Sequence, residues 1–187
     1  MRIMVKVTVY EPSEVVLSNY EPLTVMQLSL LADEVAQKIE TYRPEFANIV
    51  RLHRNAGCRV HELFDAERWS ATSNTMLQVQ PQKGNALRIL PFVDIGFANA
   101  AEFVPTHQDM SRLPERQYER VFSETVRDLG LWRLYEDGFA RPSTHFFRHM
   151  KIKELFAQGF DKEYIATWVG EKKVENLDYY LNSAYYI

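Results

Sequence analysis

His145-Phe146-Phe147-Arg148-His149 opens a stretch that runs through Trp168-Val169-Gly170-Glu171 and closes on Tyr179-Tyr180. Residues 144–158 have the pattern of one helix, stopped by Gln158-Gly159. Asp161 is placed to cap the next helix, which carries Tyr164, Ile165 and Trp168 and ends at Gly170. A last short helix holds Val174 to Leu181. The stretch therefore reads as three helices separated by tight turns. Arginine and histidine one turn apart can hold a phosphate and move a proton beside it. A tyrosine at a set distance downstream is a group able to attack that phosphate.

Working outward, Thr24 caps a helix through about Tyr42, with Val25, Leu28, Leu31, Val35 and Ile39 on one face. Pro44 suits the first turn of a second helix, which carries Phe46, Ile49, Val50 and His53 and stops near Gly57. Arg59 to Phe64 reads as a short helix. Leu77, Val79 and Pro81, then Leu87, Ile89 and Leu90, form two β-like runs around Gln82-Lys83-Gly84-Asn85, a hairpin with a lysine at its tip. Pro114 to Leu129 is helical, with Tyr118, Val121, Phe122, Thr125 and Val126 as its buried stripe. Residues 1–22 read as a short N-terminal extension of hairpin character, from the alternation of Val5, Val7 and Val9 and the turns at Pro12 and Pro22. The fold class is α+β, mainly α: a helical bundle with a small antiparallel sheet over residues 23–187.

A chain of 187 residues can bury a real core. No apolar run approaches the ~20 residues that span a bilayer. One cysteine, Cys58, rules out an intrachain disulfide and a cysteine metal cluster, and favours a reducing, cytoplasmic setting. The net charge of −3 is unusual for a nucleic-acid partner. It is unevenly spread, however. From Arg141 onward there are 7 Lys+Arg against 6 Asp+Glu, and 15 against 19 upstream. Positive potential can still be focused in one cleft.

The stretch from His145 to Tyr180 resembles the C-terminal half of a tyrosine recombinase (phage integrase) catalytic domain. That family carries His-x-x-Arg-His, a Gly near a helix end, then His or Trp, then the nucleophilic Tyr nine residues later. Those places hold His145, Arg148, His149, Gly170, Glu171 and Tyr180 without a gap. Upstream, Gly57-Cys58-Arg59-Val60-His61-Glu62-Leu63 is similar to the family's Gly-x-Arg-x-x-Glu-Leu box, and Lys83 stands in the hairpin where the family keeps its catalytic lysine.

The resemblance implies a chemistry that suits these residues. Arg59 and Arg148 would clamp the non-bridging oxygens of a DNA phosphate, which guanidinium does bidentately while staying protonated. Losing one such donor would raise the barrier by roughly 3–4 kcal/mol, as at an oxyanion hole. Lys83 would be the general acid for the 5′-oxygen, and His145 a phosphate donor or proton partner. Tyr180 would form a 3′-phosphotyrosyl link, with Tyr179 the second choice. No metal and no cofactor are implied. The partner would be double-stranded DNA, bound as a homo-oligomer, a tetramer in the family. DNA contacts fall to Arg59, Lys83, Arg148, Lys172 and Lys173. The two lysines at 172–173 read equally as a solvated loop. His149 reads as structural, and Glu62 as a buried partner holding the Arg59 turn.

Glu171 departs from the pattern, because an ionised carboxylate cannot donate to a phosphate and repels it. It is expected to point away, to pair with a cation such as Lys172, or to lower activity. Family members also carry an N-terminal helical DNA-binding domain, whereas only about 23 residues precede the first matching helix here. The leading expectation is a site-specific recombinase or integrase catalytic domain. The alternative is a catalytically weak or inactive recombinase-like protein that binds DNA or a partner. A third is a type IB-like topoisomerase.

Overall fold

In the computed structural model, residues 24–81, 86–92, 99–104, 113–131 and 143–182 are described. The extension at 1–22 and the turn carrying Lys83 lie outside them. Helix α1 spans Val25–Tyr42. Thr24 begins it with a reciprocal cap: its hydroxyl accepts from Gln27 N–H at 3.2 Å, and its own N–H donates to Gln27 Oε1 at 2.8 Å. Leu28, Leu31, Ala32, Val35, Ala36 and Ile39 recur every three or four residues and are buried together.

A 3₁₀ turn at Pro44–Phe46 leads into α2, Ala47–Ala56. Gly57 ends α2 in the left-handed region, with φ 58°. An added Cβ there would lie 2.5 Å from Lys151 Cβ, so only glycine allows the neighbouring helix so close. The short α3 follows at Val60–Leu63.

Three antiparallel strands come next, β1 at Trp69–Ser73, β2 at Met76–Val79 and β3 at Arg88–Pro91, in the order β1-β2-β3. The two-run expectation is right for β2 and β3 but omits β1. In β1 only Trp69 is buried, so no alternation marks the strand. Trp69 pairs with Val79, and Val79 pairs with Arg88. The inner face therefore carries Trp69, Leu77, Val79, Leu90 and the guanidinium of Arg88, while Leu87 and Ile89 are exposed.

Helix α4 spans Glu115–Asp128, and its buried residues are the expected stripe, Tyr118, Val121, Phe122, Thr125 and Val126. Helices α5 (His145–Ala157), α6 (Lys162–Val169) and α7 (Leu177–Leu181) complete the seven α-helices among the described residues. Helix α5 is buried around most of its girth and packs on α1, α2, α6 and α7, which makes it the central helix. Rings of Phe46, Tyr118, Phe122 and Phe147 meet around His53 at centroid distances of 5.0 to 6.1 Å. Burying each large apolar side chain of this kind contributes about 1.5–3 kcal/mol. The helical core thus holds α5, and with it His145 and Arg148, against the end of α2. No helix among the described residues is long and apolar enough to cross a membrane.

Candidate active site

Arg59 stands at the N-terminus of α3 with extended backbone. Its main-chain N–H donates to Glu62 Oε2 at 2.9 Å, which ties the turn from inside. Glu62 is buried, as expected of a structural partner. The side chain of Arg59 does not pair with Glu62. It reaches across to the turn after α6, where Nη1 donates to Gly170 O at 3.2 Å and Nη2 to Glu171 Oε2 at 2.9 Å.

Arg148 approaches the same point from α5. It is 0% exposed. Nη1 donates to Val169 O at 2.5 Å and, at 3.4 Å, to Gly57 O, the carbonyl that the α2 glycine turn presents. Nη2 donates to Glu171 Oε2 at 2.8 Å. Arg59 and Arg148, 89 residues apart in sequence, thus converge on one oxygen of one anion.

That anion is Glu171: it does not point away, and it pairs with cations as one expectation had it, though with Arg59 and Arg148, which come from far off in the sequence. Its backbone is fixed: Glu171 N–H donates to Ala166 O at 2.7 Å as Gly170 turns left-handed, with φ 70°. Its other oxygen, Oε1, accepts from Asn176 Nδ2 at 3.0 Å and Lys172 N–H at 3.3 Å. Four donors therefore enclose a carboxylate that is 7% exposed. Burial alone would raise its pKa. The hydrogen bonds from Asn176 and Arg148 and the charges of Arg148 and Arg59 outweigh this and hold it below the ordinary carboxylate value.

His145 begins α5 and is exposed. Its pKa is lowered, first by desolvation of the ring and then by the charges of Arg148, Arg59 and His61. The charges of both arginines thus favour the neutral ring, which can donate or accept a proton. Tyr180 on α7 is 9% exposed, and Arg148 Cζ lies 5.9 Å from its ring centroid. Tyr179 is 68% exposed and turned at 82° to the Tyr180 ring. His149 is buried edge-on against Tyr180 at 4.5 Å, and desolvation drives its pKa to about 3. A histidine in that state packs α5 on α7 and is not a general base at neutral pH. Lys172 and Lys173 lie exposed in the turn before α7.

The structure brings Arg59 and Arg148 onto Glu171 and sets the Tyr180 ring beside Arg148, with His145 at the start of the same helix as Arg148, and it leaves Lys83 outside the described residues. It adds one residue that sequence reasoning missed. Arg88 on β3 is buried, donates from Nη2 to Glu62 Oε1 at 2.6 Å and from Nη1 to Trp168 O at 3.3 Å. It neutralises the carboxylate that holds Arg59, and joins the sheet to α6. Beside it Arg88, Glu163, Thr167, Gly170, Glu171 and Lys172 line an open pocket of about 280 Å³.

No family model matches the sequence, and no curated protein does. Solved structures do match. The chain is similar to the crystal structure of XerA recombinase, with TM-score 0.58 and 16% identity over 87% of this chain and 61% of that one. It is similar to a lambda integrase dimer bound to a COC′ core site, with TM-score 0.56 and 16% identity over 90% and 62%. It is also similar to the Tn1549 transposon integrase in complex with transposon right end DNA, with TM-score 0.54 and 15% identity over 88% and 62%. The chain spans about three fifths of the length of each. The fold is that of a tyrosine recombinase catalytic domain, mainly helical with a small antiparallel sheet.

Proposed function

We propose that the chain is the catalytic domain of a site-specific recombinase or integrase that cuts and rejoins duplex DNA. One observation carries this reading: two guanidiniums from distant parts of the sequence meet on a single anion, with an imidazole in their field and a tyrosine ring beside the deeper one. A phosphodiester oxygen has the charge and hydrogen-bonding capacity to take the place of a carboxylate oxygen there. Arg59 and Arg148 would then hold the non-bridging oxygens and stabilise the negative charge of the transition state. The Tyr180 oxygen forms a bond to phosphorus as the bond from phosphorus to the DNA 5′-oxygen breaks. The phenolic proton leaves through His145 or solvent, and the 5′-oxygen takes a proton from Lys83. Reversal rejoins the strand, so no outside energy source is needed. DNA is the partner in this reading, with Lys172 and Lys173 beside its backbone and further copies of the chain completing an oligomer.

The test is covalent trapping on a randomised pool of duplexes with 5′-bridging phosphorothiolates, whose sulfur leaving group blocks rejoining. An adduct stable in denaturing gels is expected, and is lost in Tyr180→Phe. An adduct that survives Tyr180→Phe and vanishes in Tyr179→Phe moves the nucleophile to the exposed neighbour. No adduct from any variant, with duplex binding retained, favours the second reading: a recombinase-like protein that binds DNA without cutting it. The observation that favours that reading is Glu171 lodged between the two arginines.

A further inference from the structure

The seat assigned to the phosphate is already filled. Glu171 Oε2 sits 2.9 Å from Arg59 Nη2 and 2.8 Å from Arg148 Nη2, the pair of donors a phosphate oxygen would need. It is no accident of a loose side chain. Asn176 and the Lys172 N–H hold the other oxygen, and the Glu171 N–H is anchored on α6. The four donors come from α3, α5 and the turn leading to α7, and the carboxylate is 7% exposed. An ion bound this completely is a ligand, supplied by the protein itself.

We infer that Glu171 is a built-in competitor that closes the anion seat, and that a phosphate enters only when its side chain rotates out. The inference rests on the reading of Arg59 and Arg148 as a phosphate clamp. The backbone need not move for the seat to open. In this inference the movement is rotation about the side-chain bonds of Glu171, which itself lines an open pocket with Thr167 and Lys172. The closed form solves a problem of the empty site. Arg148 is wholly buried and Arg59 points at the same spot, so two cations would face each other without a counter-ion. Glu171 supplies that ion until a stronger one arrives. A site competent for only a fraction of the time binds its ligand more weakly by that fraction. DNA assembly, which brings several phosphates and basic contacts together, overcomes such a gate more readily than an isolated anion, which binds weakly.

Inorganic sulfate is the probe, read as the rise in melting temperature and by calorimetric titration on the whole chain. Wild type is expected to respond weakly. Glu171→Gln, which keeps an acceptor and removes the charge, is expected to bind sulfate at least roughly tenfold more tightly, as for a seat closed ~90% of the time. Arg148→Met in the Glu171→Gln background is expected to abolish the gain. Should Glu171→Gln not fold, Glu171→His, which restores the residue type of the resemblance, carries the same test. Wild type binding sulfate as tightly as the variant, with Arg148→Met abolishing both, overturns the gate and leaves the phosphate clamp standing. No sulfate binding in either folded Glu171 variant overturns the clamp itself, and the gate with it.

Discussion

Removing the charge of Glu62 tests how the first arginine of the site is held. Glu62 Oε2 accepts from the Arg59 N–H at 2.9 Å, and Oε1 from Arg88 Nη2 at 2.6 Å. The Arg88 and Glu62 side chains are 5% and 4% exposed, so water can replace neither partner. Breaking one side of a pair this dry costs about 3–5 kcal/mol, because the survivor is left as a buried, unpaired charge. Glu62→Gln keeps the shape and one acceptor oxygen, which places it near ~3 kcal/mol. In a domain of this size each kcal/mol lowers the melting temperature by about 2–4 °C, so a fall of roughly 6–12 °C is expected. Arg88→Met should cost about as much from the other side. Glu62→Gln with Arg88→Met removes both charges and should cost less than the two singles summed, by about 2 kcal/mol. Urea unfolding followed by tryptophan fluorescence measures all three, and Trp69, whose Nε1 donates to Glu62 O at 2.7 Å, reports from the site. Single costs below about 1 kcal/mol that simply add in the double variant would refute the reasoning. Arg59 would then be held by something other than this carboxylate.

Two further outcomes follow from the core and the turns. His53 is buried against Tyr118, its Nδ1 2.9 Å from the Tyr118 hydroxyl, and burial drives its pKa from 6.5 to about 3. A depressed histidine pKa means the unfolded chain binds the proton first, so this stability is complete above about 6.5 and lost as pH falls toward 3. His149 adds a second such group, and each should cost up to ~1.4 kcal/mol per pH unit in that window. His53→Phe with Tyr118→Phe should roughly halve the slope of unfolding free energy between about pH 6 and 4, and an unchanged slope would contradict the burial argument. Gly57→Ala should lower the melting temperature more than Gly170→Ala, although both have positive φ. The new methyl meets Lys151 Cβ at 2.5 Å in the first case, but the end of the Arg88 side chain at 2.7 Å in the second. The reverse ranking would show that Arg88 is the more rigid obstacle.

What could be read from the sequence was whatever repeats. The α4 stripe, the Thr24 cap and the Gly170 stop follow from 3.6-residue spacing and from backbone that only glycine adopts easily, so they survive the passage to structure unchanged. Arg88 was missed for the same reason in reverse. In Leu87-Arg88-Ile89-Leu90 the three apolar residues mark the β-like run, yet the register across from Val79 turns Arg88 inward and exposes Leu87 and Ile89. Local hydrophobicity cannot report a buried arginine whose partner, Glu62, is 26 residues away. Likewise the nearest cation to Glu171 in sequence is Lys172, while the ones it binds arrive from 23 and 112 residues off. Charge pairing across a fold has no period, so a single sequence cannot contain it in readable form.

Glu171 also shows why a mismatch to a family pattern should not be read as simple loss. A carboxylate replacing a hydrogen-bond donor would be expected to weaken a phosphate site by repulsion. In this protein it takes the two arginines proposed for the phosphate instead, and in doing so neutralises a guanidinium with no access to water. The same contact therefore stabilises the folded chain and opposes the proposed ligand. These two effects pull Glu171→Gln in opposite directions, toward a lower melting temperature and toward tighter sulfate. If the contact were merely structural, only the first would appear. If Glu171 merely repelled anions from a distance, only the second would. Both together, with the stability loss recovered as sulfate is added, is the signature of an internal ligand, because an anion that binds only the folded state restores by mass action what the carboxylate supplied.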